Sequence, residues 1–118
     1  MPVTTGIDIV NIARIRDSIE ERGNAFLERV FSEDEIAYCE TKANRYQHYA
    51  ARFAAKEAFF KALHQTTPQI AFKDITVAKE GDVPGIILHD SKRSCVEGAS
   101  VSLSIAHEKE YAVADVVI

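Results

Sequence analysis

The chain carries only two cysteines, Cys39 and Cys95. They are too few and too far apart for a disulfide framework, and neither belongs to a Cys-x-x-Cys pair. Two buried, reduced thiols are expected. The longest apolar runs extend over only a few residues, so no segment is suited to span a bilayer. The N-terminal stretch Met-Pro-Val-Thr-Thr-Gly-Ile-Asp has neither the basic start nor the apolar region of a signal peptide. A cytoplasmic location is expected. Excess positive charge is also missing: 14 Lys and Arg against 18 Asp and Glu leave a net charge of −4. That balance argues against a dedicated nucleic-acid binder. No repeat, low-complexity tract or linker interrupts the chain. With 118 residues, 47% of them hydrophobic, it reads as one globular domain over residues 1–118, large enough to bury its own core.

What is present is an uneven distribution of charge. Between Thr41 and His64 stand Lys42, Arg45, Arg52, Lys56 and Lys61, against the single acid Glu57. A basic field on an acidic protein suggests an anionic substrate or an acidic partner surface.

The pattern predicts a first strand over Pro2 to Val10, rich in β-branched residues. Asn11 can cap a helix with Ile12, Ile15 and Ile19 at helical spacing, closed by Gly23. Ser32-Glu-Asp-Glu35 is a capping box that opens a second helix through Ile36, Ala37 and Cys39. A long helix follows from about Tyr46 to His64, stopped before Pro68. Strands are expected near Phe72–Ala78, Gly85–His89, Ala99–Ile105 and Tyr111–Ile118, with a turn at Gly81–Gly85. The fold class is α+β, a largely antiparallel sheet packed with one long and two shorter helices. The final strand does not alternate, which predicts burial of both its faces. The long helix is apolar around most of its circumference, which predicts cover on several sides. Together they point to a homo-oligomer.

On that long helix, at about 100° per residue, Arg52 and Lys56 fall on one side, expected to be solvated. Glu57, Lys61 and His64 fall on another, flanked by Phe53, Phe60, Ala54 and Ala58. Glu57 and Lys61 stand in the i,i+4 order that favours a helix ion pair. A plain surface salt bridge is one reading. The apolar flanks favour a second, in which a ligand uses the charges. A carboxylate beside an ammonium suits metal-assisted chemistry on a phosphate. Such a metal needs a second carboxylate, and Asp8 in Gly6-Ile-Asp-Ile is the candidate, where Gly6 permits close approach of another chain or a ligand. Asp8 could equally be a strand-end cap for the following helix.

These residues, in this order, resemble the phosphopantetheinyl transferases of the short holo-acyl-carrier-protein synthase type. The matching segments are Gly6-Ile-Asp8-Ile-Val, Arg29-Val-Phe-Ser-Glu-Asp-Glu35, Arg52-Phe-Ala-Ala-Lys-Glu57-Ala-Phe-Phe-Lys61-Ala-Leu, and Ser104-Ile-Ala-His107 followed by Tyr111-Ala-Val-Ala. The resemblance implies transfer of 4′-phosphopantetheine from coenzyme A to a serine of apo acyl carrier protein, releasing adenosine 3′,5′-bisphosphate, a step of fatty acid biosynthesis and lipid metabolism. It implies Mg²⁺ held by Asp8 and Glu57, with Lys61 on phosphate. Glu57 and a water on the ion are both candidates to take the serine proton. It implies trimers with active sites between subunits, the neighbour completing the coenzyme pocket. Arg14, Arg16 and Arg22 on or near the first helix are the candidates for receiving an acidic carrier protein. Lys42, Arg45, Arg52, Pro84 and His107 are the candidates for the coenzyme.

Two positions depart from the family pattern. Ala106 stands where a serine usually precedes the C-terminal histidine, and Gly81 lies one place early in the Gly-x-Pro loop before Pro84. Two competing functions are another Mg²⁺-dependent phosphate enzyme on the same fold, and a non-catalytic module binding acidic proteins through its basic helix. Nucleic-acid binding through Tyr46, Tyr49 and Phe53 is disfavoured, because their helical spacing reads as core.

Overall fold

Alternation along the first strand decides which way Asp8 faces. In the computed structural model, which describes residues 3–64, 70–96 and 98–118, the first strand β1 covers Thr5–Asn11. Thr5, Ile7 and Ile9 are exposed, while Gly6 and Val10 are buried and Asp8 shares their side. The remaining elements are α1 Ile12–Arg22, α2 Asn24–Val30, α3 Glu33–Glu40, α4 Arg45–Leu63, β2 Ile75–Glu80, β3 Val83–Leu88, β4 Ser102–His107 and β5 Tyr111–Val117. All strand pairs are antiparallel: β5 lies between β1 and β4, and β2 with β3 forms a separate hairpin. The α+β class holds, with the sheet divided in two.

Helix α4 crosses the inner face of the three-stranded sheet. Its Ala50, Ala51, Ala54, Ala55, Ala58 and Ala62 are buried, as are Ala112, Ala114 and Val116 of β5. Small side chains on both surfaces let the backbones approach closely. Gly6 takes this furthest: a Cβ there would lie 2.0 Å from Ala58 O and 2.6 Å from Ala62 N. The close approach expected at Gly6 is real, but it is made by α4 of the same chain.

Lys56 and Arg52 overturn the expected solvated face of the long helix. Lys56 is fully buried, its Nζ 2.6 Å from Glu35 Oε1, and it also donates to Val30 O and Phe72 O at 2.8 and 2.9 Å. Glu35 in turn accepts from Ser32 N and Val77 N, each at 2.9 Å. Thus one buried pair ties α2, α3, α4 and β2 together, with every bond satisfied. Burial pulls the Lys56 ammonium below its ordinary value, and Glu35 opposes that pull. Removing one partner strands a buried charge. Lys56→Ala should therefore cost about 3–5 kcal/mol in urea unfolding, and a loss under about 1 kcal/mol would show the pair to be marginal.

Several sequence expectations need correction. Three shorter helices accompany α4, not two: α2 begins at Gly23 without a side-chain cap, and only Phe26, Leu27 and Val30 mark it. Such a brief stretch carries too few periods to stand out. Phe72–Asp74 is a 3₁₀ turn, drawn in by Asp74 Oδ2 accepting from Ala71 N at 2.8 Å. The turn expected over Gly81–Gly85 shrinks to Gly81 and Asp82, with Val83, Pro84 and Gly85 paired in β3. Asp90–Val96 adds an unexpected 3₁₀ segment, and β4 starts later than foreseen and reaches His107. Pro2 and Pro68 lie outside the described residues. Within one chain the last strand is covered on a single face: Ala112, Ala114 and Val116 are buried, whereas Tyr111 is exposed and Val113, Asp115 and Val117 are half-buried. Cys39 is buried, its thiol pushed up to about 12 by burial, but Cys95 is exposed. Among the described residues no helix is long and apolar enough to cross a membrane.

Candidate active site

Three elements meet where the chemistry is expected. Strand β1 directs Asp8 inward, α4 presents Glu57 and Lys61, and Asn11 starts α1 at the end of the same strand. Asn11 Oδ1 caps that helix by accepting from Arg14 N at 3.2 Å, so Asn11 and not Asp8 makes the cap. The result is a cleft of about 350 Å³ whose lining includes Asp8, Glu57, Arg14, Ser18, Arg22 and Phe53.

The ion pairing differs from the helix pair suggested by spacing. Lys61 Nζ donates to Asp8 Oδ1 and to Ile7 O, both at 3.0 Å. Among the described residues no hydrogen bond or ion pair reaches the Glu57 carboxylate. The Gly6 contact is the physical reason: it brings the β1 backbone so close to α4 that Lys61 reaches across to the strand. Burial raises the Glu57 carboxyl above its ordinary value, the Asp8 charge adds to this, and Lys61 opposes it.

Of the three arginines on α1, Arg14 and Arg22 line the cleft and Arg16 does not. Arg16 pairs instead with Asp17 at 3.2 Å. Arg22 lies 4.8 Å above the Phe26 ring. Ser18 was not singled out in the sequence, though Arg14, Ser18 and Arg22 recur every four residues and so share a stripe. That spacing also separates Arg16 from the other two.

A second cationic group gathers near the start of α4. The His48 ring is held below its ordinary value by burial first, then by Arg52, Lys42, His107 and Lys79. Arg52 is buried, its guanidinium 4.5 Å above the Tyr38 ring, and among the described residues its Nε has no hydrogen-bond partner. Lys42 Nζ lies 4.7 Å from the same ring. His107 Nδ1 accepts from Gln47 Nε2 at 2.8 Å. Arg52 and Lys79 share a hollow of about 200 Å³ with Tyr38, Ala78 and the acids Asp34 and Glu35. Lys79, His48 and Tyr38 were absent from the sequence candidates, because β2 and α3 reach this point only through the tertiary fold. Arg45 is already engaged: it bonds both Glu40 oxygens at 3.0 Å and Tyr46 Oη at 2.9 Å. Pro84 sits in the β2–β3 hairpin opposite Lys79. Gln47, which holds His107, lies ten residues before Glu57 on α4, or about 15 Å along the axis. Within one chain His107 is therefore well removed from Glu57, whereas Arg52 lies only five residues from it, about 7.5 Å along the axis.

Fold and cleft together define an α+β protein that sets two carboxylates and a lysine at a helix–strand contact, chemistry suited to phosphate. A sequence profile described as the 4′-phosphopantetheinyl transferase superfamily matches residues 4–115, and the chain belongs to this family. It is 39% identical to the holo-[acyl-carrier-protein] synthase of Koribacter versatilis, over 100% of this chain and 98% of that one. The holo-[acyl-carrier-protein] synthase of Helicobacter pylori, solved in complex with coenzyme A, superposes with a TM-score of 0.83 at 38% identity, covering 95% of this chain and 96% of that one. The Neisseria meningitidis synthase gives a TM-score of 0.89 at 28% identity, covering 97% and 95%.

Proposed function

We propose that residues 1–118 form one unit working as a Mg²⁺-dependent holo-[acyl-carrier-protein] synthase. The chain transfers 4′-phosphopantetheine from coenzyme A to a serine of apo acyl carrier protein. The observation that carries this reading is the convergence of Asp8, Glu57 and Lys61 in a chain that matches the family along nearly all its length. A non-catalytic binder of acidic proteins leaves that convergence without a purpose.

In the reaction the serine oxygen attacks the phosphorus bearing pantetheine. The bond from that phosphorus to the oxygen bridging the pyrophosphate breaks, and adenosine 3′,5′-bisphosphate departs. The Lys61 ammonium balances phosphate charge. The serine proton would pass to Glu57 or to a water on the ion. Among the described residues no group of three or more His, Cys, Asp or Glu gathers. Two carboxylates, completed by substrate phosphates, nonetheless suit Mg²⁺, which seldom occupies an all-protein cage. When bound, the ion supplies charge neutralisation at the pyrophosphate.

Arg14 and Arg22 face the cleft and suit the acidic carrier protein, whereas Arg16 lies apart. Lys42, Arg52 and His107, joined by Lys79, suit the coenzyme's phosphates, with Pro84 on the adjoining hairpin. The separation of His107 from Glu57 supports sites shared between subunits of a homotrimer. So does the outer sheet face, where Val3, Ile7 and Ile9 are 71%, 61% and 64% exposed. We place the enzyme in the cytoplasm, in fatty acid biosynthesis. The test is to incubate the chain with apo acyl carrier protein, coenzyme A and Mg²⁺ and weigh the carrier. It should gain the mass of one phosphopantetheinyl group. An unchanged mass across several carriers would refute the transferase.

A further inference from the structure

We propose that the Lys61 ammonium is the counter-ion of Asp8 until metal and coenzyme bind, so that a divalent ion gains full use of Asp8 as Lys61 releases it. The inference rests on the metal reading above and adds an exchange of partners to it. Lys61 is spaced for Glu57 on its own helix, yet its Nζ contacts Asp8 Oδ1 and Ile7 O, each at 3.0 Å. The pair is unequal in exposure: the Asp8 side chain is 16% exposed and that of Lys61 54%. The carboxylate is fixed by the sheet, whereas the ammonium sits at the solvent end of a flexible stem. It can therefore leave without disturbing the backbone. Were Lys61 to stay, an incoming cation would meet a like charge and find Oδ1 already bonded, with only Oδ2 open to it among the described contacts. The phosphates of coenzyme A offer the ammonium a new partner, so coenzyme and metal should each favour the other's binding.

Mn²⁺ is a suitable probe, its free concentration read by electron paramagnetic resonance with the full chain, with and without coenzyme A. Lys61→Met removes both the bond to Asp8 and the competing charge. It should bind Mn²⁺ roughly three- to tenfold more tightly than the parent without coenzyme, and lose a similar factor from the enhancement that coenzyme A provides. Lys61→Arg keeps charge and donors and should resemble the parent. Arg14→Met removes a cation from the same cleft that does not bond Asp8, so its effect should be less than half as large. Equal affinity in Lys61→Met and the parent overturns the partner exchange while leaving the metal reading intact. An effect of Arg14→Met as large as that of Lys61→Met, or tightening in Lys61→Arg, reduces the result to a general field and overturns it too. If the parent binds no Mn²⁺ even with coenzyme A, the metal reading falls and this inference with it.

Discussion

Asp8→Ala and Glu57→Ala should each lower kcat for phosphopantetheinyl transfer by at least about a hundredfold. The double variant should be little worse than either single one, because both carboxylates serve one centre and such losses do not add. Turnover within tenfold of the parent in either variant would remove that residue from the metal site. Stability should move differently from activity. Glu57 is held where burial and the Asp8 charge both oppose its ionisation. Its carboxyl value is therefore higher in the folded chain than in the unfolded one. Ionised Glu57 opposes folding above that raised value, and the penalty fades as pH falls through it. Glu57→Gln should thus be inactive yet at least as stable as the parent at pH 7, with the parent gaining on it toward acid pH. Asp8→Ala, losing only the rim pair with Lys61, should cost no more than about 1 kcal/mol. Thermal unfolding across pH, set beside the rate measurements, separates these outcomes.

Gly6→Ala should be the most damaging single methyl addition at this helix–strand contact. The new Cβ would press on Ala58 O and Ala62 N, which are backbone atoms of α4 and cannot swing aside as a side chain can. Relief requires β1 and α4 to separate, which opens the core along Val10 and Ala58 and moves Asp8 away from Lys61. A cost above about 3 kcal/mol is expected, lowering Tm by at least about 10 °C, with activity falling in parallel. An unchanged Tm would mean that strand and helix are not in this close contact.

Much of the site was legible because its signals are local. The capping box at Ser32 and the Asn11 cap formed as their residue types require. Gly6-Ile-Asp8 and the Glu57–Lys61 spacing singled out candidate side chains that the fold brings together. Local signals could not say which charges are buried. Arg52 and Lys56 carry the same formal charge as Lys42, yet the first two are buried and Lys42 is partly exposed, because α3 and β2 cover one side of α4. The five basic residues of this segment consequently make a much weaker surface field than their number implies: Lys56 is spent on Glu35, Arg45 on Glu40 and Lys61 on Asp8.

The sequence by itself determined the candidate groups and the elements that carry them, since caps, periodicity and i,i+4 spacing depend on neighbours along the chain. Only the tertiary structure decided their partners. Lys61 turns from Glu57 to Asp8 because Gly6 lets β1 lie against α4, a contact between positions more than fifty residues apart that no spacing records. Among the described residues the same packing leaves the Glu57 carboxylate without a bonded cation, in a cleft that it shares with Asp8.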